Sequence, residues 1–227
     1  MKSLQKFGGF AALYMALAHL SGLIIFIVIL DYISITDLAQ KVAVNVNNQA
    51  VVFSTNLLMY VFFGFFLIIL SLALYDRLKS GATALMQVAT AIGIIWAGSL
   101  IASGMVANVA LTSVVAINAA DPSQAALTWQ GIEPVIDGLG NANGEILGGL
   151  MTFLISLAAL RTGGLPKGLN MLGLGVGAVG IITIIPQLNA LVAVFGLVQI
   201  AWFVWLGVVL LRSNPGKAAA TKVLRPA

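Results

Sequence analysis

The chain has 227 residues, of which 60% are hydrophobic and only 8% charged, and its mean hydropathy is +1.07; so few charges cannot clothe a water-facing surface, and one membrane domain is the natural reading. A formal charge of +4 comes from basic residues at segment ends and in the tail, not from a stripe with interleaved aromatics, so nucleic-acid binding is a poor explanation of it. With no cysteine there are no disulfides, thiolate metal sites or cysteine nucleophiles, and with His19 as the one histidine an H-E-x-x-H metal motif cannot occur.

A helix needs roughly 20 apolar residues to cross a hydrocarbon core about 30 Å thick. Six stretches meet or approach that length: Phe7–Leu30, Leu57–Tyr75, Ala84–Val106, Gly144–Leu160, Leu169–Ile185 and Leu188–Leu211. They are too long and continuous for barrel strands, and backbone hydrogen bonding must close within each segment, so helices are expected. The first run is longer than a signal-peptide core and has no small-x-small cleavage pattern, which makes it a retained helix.

No charge falls between Lys79 and Asp121, so the third run could hide two short helices or one helix with an interfacial extension. Charge bias decides. With six spans and the N-terminus inside, Lys2, Lys6, Arg77, Lys79, Arg161, Lys167, Arg212, Lys217, Lys222 and Arg225 are cytoplasmic and only Lys41 is outside. Splitting the third run would reverse this for Arg161, Lys167 and the tail. The expected architecture is therefore an all-α, polytopic transmembrane bundle over residues 1–211, both termini cytoplasmic, in a plasma (inner) membrane, with a basic and disordered tail over 212–227 lying near anionic lipid. Six of the seven acids sit on or near the outer face, with Asp76 alone inside.

Two outer connections should carry structure. Between Asp31 and Asn56, Leu38, Val42, Val46, Ala50 and Phe53 recur near helical spacing and predict an interfacial helix leading into the second span, although Val42, Val44 and Val46 also fit a short strand. Between Asn118 and Asn143, Asp121-Pro122 is a cap followed by a first-turn proline and predicts a short helix holding Trp129 at the interface. Pro186-Gln187-Leu188-Asn189 predicts a tight turn between the last two spans.

Candidate functional side chains are few. His19 lies about 18 Å along a helix starting at Phe7, on a face with Ala12, Met15, Ala16, Gly22 and Leu23, so its imidazole is expected to point into the bundle as a neutral interhelical partner, a proton carrier, a ligand contact or an axial ligand. Glu145, in Asn143-Gly144-Glu145, is stabilised by the helix start and cappable by Asn143; alternatively it stands at a cavity mouth, with Asp137 or Glu133, as a cation or proton acceptor. Gly140, Gly144 and Gly148, then Gly173 and Gly177, recur every fourth residue and predict close helix crossings. Gln87, Ser99, Ser103, Asn108, Thr183 and Gln199 read as helix-joining polar groups, and Trp96, deep in the third span, needs an N–H partner. His19, Trp96, Asn108 and Glu145 form the candidate ligand-binding set, with no catalytic or metal set.

Ala73-Leu74-Tyr75-Asp76-Arg77-Leu78-Lys79 at the end of the second span and Leu165-Pro166-Lys167-Gly168-Leu169-Asn170-Met171-Leu172-Gly173 entering the fifth, with the order of spans over nearly the whole chain, resemble the bacterial membrane family catalogued as domain of unknown function four-three-eight-six. The resemblance implies a bacterial inner-membrane bundle and brings no activity with it.

Three functions stay open. The first is a non-enzymatic bundle that binds a lipid-like or other hydrophobic small molecule, or a partner membrane protein, near His19 and the third span. The second is a small-molecule or proton-coupled transporter, for which the only internal echo is Leu70–Leu74 against Ile155–Leu160. The third is a redox subunit or a pigment- or haem-binding protein using His19 as a single ligand, since bis-histidine ligation is impossible.

Overall fold

The computed structural model describes residues 2–140 and 145–212, and every regular element among them is helical. Helix α1 (Lys2–Leu23) continues through a π-helical stretch, Ile24–Ile29. It stops where Asp31 adopts a left-handed backbone, φ 46° and ψ 32°, a conformation that Asp reaches more readily than most residues. The short 3-10 segment Tyr32–Ser34 follows, with the Tyr32 ring edge-on to Phe26 at 6.0 Å between centroids.

Helix α2 (Leu38–Asn47) is capped by Asp37, whose carboxylate accepts the Gln40 N–H at 2.8 Å. Helix α3 (Gln49–Asn56) follows and runs through a second π-helical stretch, Leu57–Phe62, into α4 (Phe63–Asn118). The segment expected to be helical here is so, in two pieces, and the strand alternative is not adopted. Its buried face differs from the expected one: Val42, Asn45, Val52, Thr55 and Asn56 point inward, while Ala50 and Phe53 are exposed.

Helix α4 is broken once, where Ser80, Gly81 and Ala82 leave helical geometry. Beyond that break the chain stays helical to Asn118, so the third apolar run is one long helix. At about 1.5 Å per residue its 83–118 portion extends about 54 Å, well over the thickness of a hydrocarbon core. The surplus length is covered by α2 and by α5 (Pro122–Gly140), and the three form a small core of Val42, Ala107, Ala110, Val114, Ala125, Trp129 and Ile136. Asp121 caps α5 by accepting the N–H groups of Ser123 and Gln124, each at 3.0 Å. Trp129, which the sequence suggested as an interfacial side chain, is 6% exposed and packs inside this core.

Helix α6 (Ile146–Thr162) ends at Gly163, whose φ of 65° is the left-handed closing turn that favours glycine. Helix α7 (Lys167–Ile182) and α8 (Leu191–Arg212) follow, separated by the expected tight turn, here a 3-10 turn at Pro186–Leu188. The main core is built where α1 meets α4 and α8, and where α6 packs on α4 and α7.

Glycines set the closest crossings. A Cβ on Gly149 would lie 2.7 Å from the Ile181 nitrogen and 2.9 Å from the Gly177 carbonyl oxygen, and one on Gly177 would lie 2.8 Å from the Gly149 oxygen, so α6 and α7 touch backbone to backbone. Gly173 likewise leaves room for Ser156 and the Trp202 indole, whereas Gly175 faces open space. The spacing at Gly173 and Gly177 is therefore a packing device. Gly148 takes part too, against Trp96 and Phe195; Gly144 lies outside the described residues, as do Asn143 and the tail from 213 onward. A second contact of this kind, Gly9 against Gly207 between α1 and α8, had no four-residue spacing to announce it.

The exterior is apolar. Phe7, Phe10, Leu17, Val28, Ile95, Val109 and Leu197 are each at least 60% exposed, while Ser71, Ser103, Thr152, Ser156, Asn170 and Gln199 are buried. That inversion suits a hydrocarbon surround. Three helical runs, Ser3–Ile29, Gln49–Asn118 and Leu191–Arg212, are long and apolar enough to cross a membrane, and α6 and α7 are shorter apolar helices.

Candidate functional site

A partly open cavity of about 490 Å³ lies between the π-helical ends of α1 and α3 and the helices α2, α4 and α5. Much of its lining is apolar: Leu23, Phe26, Ile27, Ile33, Val52, Met59 and Ile136. The same lining carries a polar group of Tyr32, Lys41, Asn45, Glu133 and Asp137. Lys41 Nζ donates to both carboxylate oxygens of Glu133 at 2.9 Å, and the Tyr32 hydroxyl donates to Glu133 Oε1 at 2.9 Å. The Asn45 amide donates to the Tyr32 oxygen at 3.5 Å, and Lys41 Nζ sits 5.5 Å from the Tyr32 ring centroid.

The electrostatics follow from burial. The Tyr32 hydroxyl is pushed above its ordinary range, first by burial and then by the Glu133 carboxylate. Asp137, one helical turn beyond Glu133 on the same face of α5, is raised by burial and by the charge of Glu133, against a lowering pull from Lys41. One cation thus faces two carboxylates at this polar edge.

A second, smaller chamber of about 120 Å³ shares Met59 and Tyr60 with the first and is otherwise lined by His19, Phe63, Trp96, Leu100, Gly140, Glu145, Phe195 and Gln199. Gly196 on α8 admits the imidazole, since a Cβ there would sit 3.2 Å from His19 Nε2. The Phe63 ring meets His19 and Trp96 edge-on, with centroids 6.4 and 5.9 Å apart. Glu145 is held by its backbone: its N–H donates to the Thr183 hydroxyl at 2.8 Å, and that hydroxyl donates to the Gly180 carbonyl at 2.6 Å. Gln199 pairs with Thr152, its amide donating at 3.1 Å.

Three of the four sequence-predicted ligand residues, His19, Trp96 and Glu145, therefore line one chamber. Asn108 does not join them. It accepts a hydrogen bond from Asn56 Nδ2 at 3.0 Å and donates to the Phe53 carbonyl at 3.2 Å, tying α3 to α4. Glu133 and Asp137, weighed in the sequence as neighbours of Glu145, line the larger cavity. Sequence reasoning missed Tyr32, Asn45, Met59 and Tyr60. Lys41 carried a usable signal, being the one basic residue on its side of the expected bundle; the π-helical stretches that place Met59 and Tyr60 had none.

No protein-family model, curated protein or solved structure matches this chain.

Proposed function

We propose that this protein is a multi-pass membrane protein of a bacterial inner membrane, with six spans and both termini cytoplasmic, that holds an amphipathic, lipid-like molecule in its larger cavity without transforming it. The six-span reading counts the two arms of the broken 70-residue helical run separately and adds α1, α8 and the shorter apolar helices α6 and α7. The positive-inside bias then puts the α2–α5 end outside. The resemblance at Ala73–Lys79 and Leu165–Gly173 is the ground for the bacterial inner-membrane setting.

The observation that carries the ligand reading is the composition of the cavity. Its volume of about 490 Å³ falls within the usual small-molecule range, and its lining combines apolar side chains with a hydrogen-bonded Lys41–Glu133–Tyr32 cluster. The apolar chain and polar headgroup of an amphiphile match those two kinds of lining. The pigment or haem reading fits less well, because the chamber at His19 is about 120 Å³, below the usual range for cofactor sites.

The test is extraction and mass spectrometry of the purified protein. An amphiphile should co-purify at near-stoichiometric level, and Ile27→Trp, which adds bulk to the wall at a half-exposed position, should displace it. An empty wild type, or equal retention by the variant, would contradict the proposal.

A further inference from the structure

The small chamber is built differently from the large one. Its carboxylate, Glu145, makes no hydrogen bond or ion pair with another described side chain, and no lysine or arginine lines the space. A carboxylate brought into such surroundings without a counter-charge is costly, and the cost falls when a cation joins it. Around it stand the rings of Tyr60, Phe63, Trp96 and Phe195. Trp96, which lines the chamber, is 4% exposed, and among the described residues its indole N–H has no hydrogen-bond partner, so packing alone leaves a buried donor unsatisfied. The edge-on arrangement of Phe63 against Trp96 turns the two ring faces in different directions, as in a box.

Aromatic faces with one carboxylate are the surroundings that attract an alkylated ammonium ion: the rings offer negative quadrupole faces and the carboxylate balances the charge, with no lost hydrogen bonds on the ligand. A hydrated alkali cation would need several oxygen ligands in place of its water, and the wall offers few. We propose that this chamber is a site for a small alkylammonium ion, held by Glu145 and the Trp96, Phe63 and Tyr60 rings and reached from the larger cavity past Met59 and Tyr60. The site shares Met59 and Tyr60 with the amphiphile cavity but has its own carboxylate and rings, so an empty amphiphile cavity would not by itself remove it.

The experiment is thermal unfolding of the purified full chain in detergent, titrated with tetramethylammonium chloride, potassium chloride or tert-butanol, the last a neutral molecule of similar shape. Tetramethylammonium should stabilise saturably and the other two should not. Glu145→Gln should weaken that response about thirtyfold or more, and Trp96→Leu about fivefold, while Asp76→Asn, the same loss of charge at the far end of the bundle, should leave it unchanged. No saturable response in wild type, an equal response to potassium, or an undiminished response in Glu145→Gln would overturn the proposal. Should Glu145→Gln fail to fold, an undiminished response in Trp96→Leu would overturn it too.

Discussion

Lys41 on α2 reaches α5 to set its ammonium 2.9 Å from each carboxylate oxygen of Glu133, and this one pair closes the polar edge of the large cavity. Both side chains are largely shielded, at 21% and 16% exposure. Removing one member strands the other, so Lys41→Met should cost about 1–2 kcal/mol, less than a fully buried pair because water still reaches the site. Glu133→Gln combined with Lys41→Met should recover part of that loss. Thermal unfolding of the two single variants and the double variant measures the coupling.

Asp137 supplies a pH dependence of opposite sense to the usual acid. Burial and the Glu133 charge raise its pKa in the folded state, so the fold favours the protonated form. Its contribution is fully present below the unfolded-state pKa and is lost as pH rises through the folded one. Asp137→Asn should therefore stabilise the protein near neutral pH and make little difference at about pH 3, below the ordinary aspartate value. Unfolding midpoints at the two pH values check the sign.

The α6–α7 crossing should not tolerate side chains. Gly149→Ala puts a methyl 2.7 Å from the Ile181 nitrogen, which must push backbone against backbone and should cost about 1–3 kcal/mol. Gly175→Ala meets nothing within 4 Å and should be neutral or slightly stabilising in its helix. Comparing the two in one unfolding assay separates packing from helix propensity.

Asn108→Ala should cost stability without emptying the large cavity. It leaves Asn56 Nδ2 without its acceptor and frees the Phe53 carbonyl, for a loss of about 1 kcal/mol, the usual worth of such bonds between helices in a membrane. Retained amphiphile measured by mass spectrometry should match wild type.

The helices were legible because apolar length and charge asymmetry are local properties: the six runs coincide with α1, the two arms of the α4 run, α6, α7 and α8, with shifted ends. The packing was partly so. Gly173 and Gly177 announced a close approach by their spacing, whereas Gly9 and Gly207, far apart in sequence, meet only in the fold. His19, Trp96 and Glu145 stood out as polar or large groups in apolar runs, and they do share a chamber. Asn108 stood out for the same reason, but its needs are met by Asn56, a partner no periodicity could identify. The large cavity was hidden because it depends on two π-helical stretches and on a left-handed Asp31, none of which leaves a mark in hydropathy.

The proposed six-span membrane protein has the α2–α5 end facing away from the cytoplasm while the α4 break and the α6–α7 connection face it. The chain has no cysteine, so single cysteines can report sidedness without background. In intact cells, a membrane-impermeant maleimide should label Gln124→Cys and Gln187→Cys, and should label Ser80→Cys and Lys167→Cys only after the membrane is opened. Labelling of Ser80→Cys or Lys167→Cys in sealed cells, with Gln124→Cys protected, would contradict the account.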